Sequence, residues 1–228
     1  MKYIIVGLGS FGASLAEKLT EQGNEVIGID TDMDKVENLK ERISHTIAMD
    51  ATDESTVSGL PINDTDLVVI AIGEHRGDNI MATALFKNLK AKRLISRSID
   101  SLHEKVLLAI GVDEIAHPEA ESAERWAKKL CFKGVVDSFE LNGDYSIVEV
   151  NIPKRYSGVS IKESNIREKY NLLALTTIAN AEVRSIVGKT RNITMVKGVA
   201  SPDHILDKAD ILVIYGANKD IKKFLNDD

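Results

Sequence analysis

The residues best suited to chemistry stand near the start of the chain, in Gly7-Leu8-Gly9-Ser10-Phe11-Gly12. An apolar run, Tyr3 to Val6, leads into these glycines, and a helical pattern of Leu15, Ala16 and Leu19 leads out, closed by Gly23. A strand-to-helix turn of this kind holds an anion. Its first glycine allows the tight turn, its second keeps side-chain atoms away from an approaching pyrophosphate, and its third lets the helix pack close to the strand. The free N–H groups of the first helical turn, together with the helix dipole, supply the attraction. Glycines at this spacing also mark ordinary turns, so the flanking context decides. A second apolar strand, Glu25 to Ile29, ends at Asp30, about twenty residues beyond the glycines, where a ribose-binding carboxylate belongs. The competing reading makes Asp30 a cap for the next helix.

These residues must be positioned by alternating elements. Strands are expected at 3–6, 25–29, 45–49, 67–72, 93–96 and 114–116. The run Leu67 to Ile72 is continuously apolar, as a central parallel strand should be. Helices are expected at 33–43, 79–89, 102–110 and from His117-Pro118-Glu119 to about Phe132. Such alternation predicts an α/β fold, a Rossmann-like doubly wound parallel sheet with right-handed crossovers. Ligands bind at the carboxyl ends of such strands. Those ends carry Gly7 to Gly12, Asp30, Asp50-Ala51-Thr52, Ile72-Gly73-Glu74 and Arg97, and their convergence on one edge is a stronger signal than any single motif. The helix after Pro118 gathers Ala123, Trp126, Ala127, Leu130 and Cys131 on one face. That face either packs on its own sheet or meets a neighbouring subunit.

From Val135 the texture changes. Strands are expected at 138–141 and 145–152 around the hairpin turn Asn142-Gly143-Asp144, then at 172–179, 183–188 and 211–215. Short helices are expected at 166–170 and 220–225, with a loop from Pro153 to Ser160. The expected division is a nucleotide-binding domain at 1–134, including the crossover helix 119–132, and a smaller α+β domain at 135–228.

Composition narrows the function. A chain of 228 residues, 43% hydrophobic, can bury one large core or two modest ones. Net charge is −6 with no basic block, which argues against nucleic acid. No apolar run approaches the roughly 20 residues that span a bilayer. Met1 leads directly into the first strand, so no signal peptide is expected. The single Cys131 excludes an internal disulfide and fits a reducing cytoplasm. A dehydrogenase on this fold needs a proton-transferring group facing its cofactor. The histidines His45, His75, His103, His117 and His204 form no catalytic pattern; they read as solvated, with His75 near the ligand edge.

The ordered set of motifs resembles the regulator-of-potassium-conductance family, the KtrA/TrkA type of cytosolic subunit. The likeness is carried by Val6 to Gly12, Ile29-Asp30-Thr31-Asp32 with Lys35, Met49-Asp50-Ala51-Thr52, Ala71-Ile72-Gly73-Glu74, Lys105-Val106-Leu107, Ile110 to Asp113 and His117-Pro118-Glu119. Asn165 to Tyr170 and Asp210 to Gly216 extend it into the second domain. The resemblance implies a non-enzymatic gating subunit, cytoplasmic and peripheral at the inner face of the membrane. It implies homodimers assembled into a ring, an octamer, beneath a potassium-transporting membrane subunit of the TrkH/KtrB type. By the same resemblance Gly7, Gly9, Ser10, Phe11 and Gly12 cradle the phosphates of an adenine nucleotide, and Asp30 with Thr31 holds the ribose. Lys35 and Asp50-Ala51-Thr52 flank the nucleoside, and Glu119 helps bind Mg²⁺ or Ca²⁺. Some members also bind a cyclic dinucleotide in the C-terminal domain, where Asn165 and Arg167 would bear on it here. Ser10 stands where many members have an arginine linked to the terminal phosphate of ATP, and Met49 replaces a common glycine. The nucleotide therefore stays open among ATP, ADP, AMP and NAD(H). The alternative function is an NAD-dependent oxidoreductase.

Asp30 generates a test. Two like charges about 5 Å apart at an effective dielectric of 20 repel by roughly 3 kcal/mol. A 2′-phosphate there is penalised on that order, while a free hydroxyl gains a charge-assisted hydrogen bond. Titration should therefore find NADP(H) far weaker than NAD(H), and equal affinities would remove Asp30 from the ribose.

Overall fold

The computed structural model describes residues 1–131, 134–184 and 190–227. It divides into two compact units, Met1–Glu119 and Ala120–Asp228.

The first unit is built on six parallel strands: β1 (Lys2–Val6), β2 (Glu25–Asp30), β3 (His45–Ala48), β4 (Leu67–Ile70), β5 (Leu94–Arg97) and β6 (Glu114–Ala116). Their order is β3-β2-β1-β4-β5-β6, so the direction of winding reverses between β1 and β4. Side chains alternate across the sheet. Ile4, Val6, Val68 and Ile70 face a core shared with Ala82 and Phe86 of α4 (Arg76–Asn88), Leu107 of α5 (Ser101–Ile110) and Val57 of α3 (Glu54–Val57). Ile5 and Val69 face the other core with Ala16 of α1 (Ser10–Glu21) and Val36 and Leu39 of α2 (Met33–Leu39). Burial on both faces is why these strands read as unbroken apolar runs.

The second unit holds five antiparallel strands ordered β10-β9-β11-β8-β7. They are β7 (Val135–Asn142), β8 (Tyr145–Asn151), β9 (Leu173–Arg184), β10 (Thr190–Val196) and β11 (Ile211–Ala217). Three further helices belong here, α7 (Ile161–Ser164), α8 (Ile166–Tyr170) and α9 (Asn218–Asn226). Val148, Val150, Leu212 and Ile214 of the sheet share a core with Ile166, Tyr170, Ile221 and Phe224. Phe224 is fully buried, stacked on Tyr156 at 5.7 Å and met edge-on by Tyr170 at 5.3 Å.

Several boundaries differ from those expected. Helix α2 ends at Leu39 rather than Ile43, yet Ile43 stays buried because the chain continues as turns hydrogen-bonded to the Leu39 carbonyl. β4 ends at Ile70 rather than Ile72, where the glycine turn crosses its end. Helix α4 begins at Arg76, taking in residues expected to be loop. The short helices α3 and α7 were not expected, although each carries a legible cap: Asp53 accepts from Ser55 N, and Ser160 with Glu163 forms a capping box. In the second unit one long strand, β9, replaces two expected ones; Ser185 to Gly188 lie outside the described residues. Strand β10 was missed because Thr190-Arg191-Asn192 offers no apolar alternation.

The crossover helix α6 runs Pro118–Cys131, and the division between the two compact units falls within it. Lys128 pairs with Glu140 and Arg125 with Asp137, both partners on β7. No residue of α6 is buried, and Trp126 and Leu130 are 55% and 77% exposed. Among the described residues, its apolar face is therefore left exposed.

The last turn of the second unit is tied down by Asp227. Its carboxylate pairs with Lys169 at 2.7 Å and accepts from the Tyr170 hydroxyl. Those hydrogen bonds, Lys169 first and Tyr170 next, bring its pKa from the ordinary 3.8 to about 2. A depressed folded pKa stabilises above the unfolded value and is lost as pH falls through the folded one. The thermal midpoint should therefore fall as pH drops from 3.8 to about 2, and Asp227→Asn should flatten that slope while lowering the midpoint at neutral pH. An unchanged slope in the variant would show that this carboxylate contributes nothing to the acid response.

Candidate functional site

The site is built at the carboxyl edge of the first unit, where β1 and β4 part. Gly7 adopts φ +94°, and a Cβ there would lie 2.9 Å from the Ile72 nitrogen. A Cβ at Gly12 would lie 1.9 Å from the Gly7 carbonyl oxygen. These two glycines are demanded by the close approach of turn, helix and β4. Gly9 differs: it takes an ordinary φ of −66°, and a Cβ there would meet nothing within 4 Å. Gly9 is the N-cap of α1, which has no side-chain cap and no acid in its first turn. The first-turn N–H groups of α1 are thus left to an incoming acceptor.

Asp30, at the end of β2, reaches under this turn. Its Oδ2 accepts from Leu8 N at 2.7 Å, its Oδ1 from Asp32 N at 2.9 Å, and Lys35 Nζ lies 3.8 Å away. The cap of α2 is Asp32, which accepts from Asp34 N at 2.9 Å, so capping does not account for Asp30. The carboxylate is largely buried, and its remaining lone pairs can accept further hydrogen bonds.

A cavity of about 330 Å³ opens over these groups. Gly7, Gly9, Ser10, Phe11, Asp30, Thr31, Lys35, Ala51, Ile72, Gly73, Glu74, Arg97 and Glu119 all line it. Three expected residues do not. Gly12 is used in packing, and Asp50 and Thr52 bond to each other, Thr52 N and Oγ1 both donating to Asp50 Oδ1 at 2.8 and 2.7 Å. Met49 joins the lining unforeseen, and so does His75, which was expected near the ligand edge as a solvated loop residue.

Across the cavity from Asp30, on the β4–β5 side, lies Arg97. Its guanidinium rests on Gly73, where a Cβ would come within 2.1 Å of Nη1. Nη1 donates to the Ala71 carbonyl at 3.4 Å, Nη2 to Glu119, and Nε is buried without an acceptor. Sequence reasoning missed the residue that supports this floor. Asn79 is fully buried, donating to the carbonyls of Ile72 at 2.8 Å and Arg97 at 3.2 Å while accepting from Ser96 Oγ at 3.0 Å. It ties the ends of β4 and β5 together, and an asparagine in a helix announces nothing of this in sequence.

No metal centre is built by the described residues alone: no group of three or more His, Cys, Asp or Glu converges among them. Glu119 is engaged by Arg97 instead. His103, expected to be solvated, is 2% exposed; burial lowers its pKa, and Nδ1 accepts from Ile99 N at 3.3 Å. It does not line the cavity, and no histidine there is paired with an acid as a proton-transfer relay would need.

Comparison with known proteins agrees with this geometry. The family model of the TrkA-N domain matches residues 3–118. Ktr system potassium uptake protein C of Bacillus subtilis (strain 168) is 33% identical over 223 residues, covering 98% of this chain and 95% of that protein. Ktr system potassium uptake protein A of the same organism is 30% identical, covering 99% and 96%. Among solved structures, the GsuK RCK domain superposes with a TM-score of 0.63 at 16% identity, covering 99% of this chain and 47% of that one. The GsuK channel bound to NAD gives 0.62, also at 16% identity. At that identity the likeness shows the fold.

The contrast among the glycines generates a prediction. Gly9→Val should fold normally yet lose at least tenfold in nucleotide affinity, about 1.4 kcal/mol, because the side chain fills open space over the α1 N-terminus. Gly12→Ala should instead lower thermal stability, since its Cβ has no room beside a backbone carbonyl. Calorimetric titration and melting curves separate the two, and normal affinity in folded Gly9→Val would reduce the turn to a structural one.

Proposed function

This chain belongs to the TrkA-N family, and we propose that it is the nucleotide-binding regulatory subunit of a Ktr-type potassium uptake system. The observation that carries the reading is the pairing of an uncapped α1 N-terminus with the Asp30 carboxylate on one cavity. One end receives phosphate and the other a ribose, which together describe a nucleotide; the family likeness supports adenine as its base. The near full-length likeness to two Ktr potassium uptake proteins supplies the transport context.

In this reading the subunit is non-enzymatic and cytoplasmic, and acts at the inner face of the membrane on a separate potassium-transporting protein. Among the described residues no helix is long and apolar enough to cross a membrane. The exposed Trp126 and Leu130 of α6 support self-association, since an apolar helix face left in water is costly and a second copy can cover it. Homodimers built this way assemble into the ring. A divalent cation, if used, needs ligands from beyond this single chain, because Glu119 alone cannot complete an oxygen shell.

The test is transport. In vesicles holding the membrane subunit from the same cell, adding this chain should make rubidium or potassium flux depend on adenine nucleotide. Gly9→Val should remove that dependence while still co-purifying with the membrane subunit. Flux indifferent to nucleotide would overturn the regulatory reading, and sustained NADH oxidation with carbonyl substrates would favour the oxidoreductase.

A further inference from the structure

A second cavity, of about 130 Å³, lies wholly within the second unit and shares no lining residue with the first. Its walls come from α6, the β7–β8 hairpin and the first half of α9. The floor is apolar, made by the buried side chains of Val135, Val148 and Ile221. Ser138 stands opposite Val148 in the hairpin register, so its hydroxyl rises from the same face of the sheet. Two ammonium groups border the floor, those of Lys128 and Lys222, and among the described residues no carboxylate lines it.

The polar atoms of this cavity are unequally satisfied. Ser146 donates to Asn218 Oδ1 at 2.7 Å, and Asn218 Nδ2 donates to the Gly143 carbonyl at 3.0 Å. Those groups are spent in the fold. Ser138 Oγ and Lys128 Nζ are not: both atoms are buried, and neither has a hydrogen-bond partner among the described residues. Lys128 is ion-paired with Glu140 and, at 3.4 Å, with Glu124. Those carboxylates offset its charge, but an ammonium still has three protons to place. A buried donor without an acceptor costs free energy, so such atoms mark a place for one.

The chemistry of that acceptor follows from the walls. Ammonium groups favour an anion, and the Ser138 hydroxyl can donate to the same group. A carboxylate accepts from both, through charge-assisted hydrogen bonds. An ion polar on every side, such as phosphate, would be desolvated against Val135, Val148 and Ile221 without return, whereas an alkyl group gains there. Size sets the rest. A cavity of about 150 Å³ holds benzene, so one of 130 Å³ suits an acid of about two to four carbons.

We propose that this cavity is a binding site for a short-chain monocarboxylate, its carboxylate on Lys128 and Ser138 and its alkyl group on the apolar floor. The site is independent of the nucleotide reading and gives the second unit a small-molecule ligand of its own.

Saturation-transfer NMR on the full chain tests the assignment, with propionate and propionamide as ligands and inorganic phosphate as competitor. Propionate should saturate at about 1 mM, well within reach of a ligand with so few atoms. Propionamide has the same size without the charge and should bind at least tenfold more weakly. Lys128→Gln should bring the propionate:propionamide ratio close to one. Ser138→Ala should weaken propionate severalfold while leaving the melting curve unchanged, because that hydroxyl bonds to nothing among the described residues. Should Lys128→Gln fail to fold for want of a partner to Glu140, Ser138→Ala decides alone. Absence of saturable propionate binding would mean that the cavity holds only water and would overturn the site. Equal binding of propionamide would overturn the selection of an anion, and phosphate competing as strongly as propionate itself would overturn the carboxylate class. Full affinity in Ser138→Ala, or an unchanged ratio in folded Lys128→Gln, would overturn the placement.

Discussion

The first unit depends on one close approach, that of the glycine turn to the end of β4. A Cβ at Gly12 has 1.9 Å to the Gly7 carbonyl and one at Gly7 has 2.9 Å to Ile72 N, both far inside contact distance. With hydrogen atoms in those places, α1 can start directly at the end of β1 and lie against the sheet. Its N-terminus then opens at the carboxyl edge, at the point where the winding reverses. Asp30 fixes the same turn from the β2 side through Leu8 N–H. One carboxylate therefore holds the glycine turn in shape and presents its unused lone pairs to the cavity.

Charge in the pocket is arranged in two couples rather than as one positive basin. Asp30 with Lys35 marks one end, and Arg97 with Glu119 the other. Uncompensated charge is costly in a partly buried place, and each couple offsets that cost. The buried Asn79 network holds the ends of β4 and β5 together, so that Arg97 is set by the sheet rather than by a free loop.

The second unit carries no such turn. Its sheet is closed by an aromatic cluster around Phe224 and by the Asp227 latch near the chain end. Helix α6 has an ion-paired face toward β7 and an apolar face left exposed among the described residues. An element that buries nothing at home is suited to association, which is how the second unit enters the regulatory reading.

Local order along the chain was legible in the sequence because it rests on near neighbours. Tyr3 to Val6 and Leu67 to Ile70 are apolar without interruption since both their faces are covered, and Gly7, Gly9 and Asp30 keep their spacing because a strand, a turn and a helix have fixed lengths. The fold class and the gathering of Gly7 to Gly12, Asp30, Gly73 and Arg97 on one edge followed from that periodicity, whereas the family resemblance, and with it Lys35 and Glu119, came from the ordered motifs. The glycine motif also told the three glycines apart, two serving close packing while Gly9 faces open space, but periodicity could not show that Gly12 leaves the cavity wall. Nor could it turn Asp50 and Thr52 toward each other, bring Met49 to the wall, or bury Asn79 beneath it. Strand β10 stayed hidden because its pairing to β9, not its own polar residues, makes it a strand. Above all, the contact of Arg97 with Glu119 joins residues 22 positions apart, and a side-chain pair of that kind exists only once the sheet has placed the ends of its strands together.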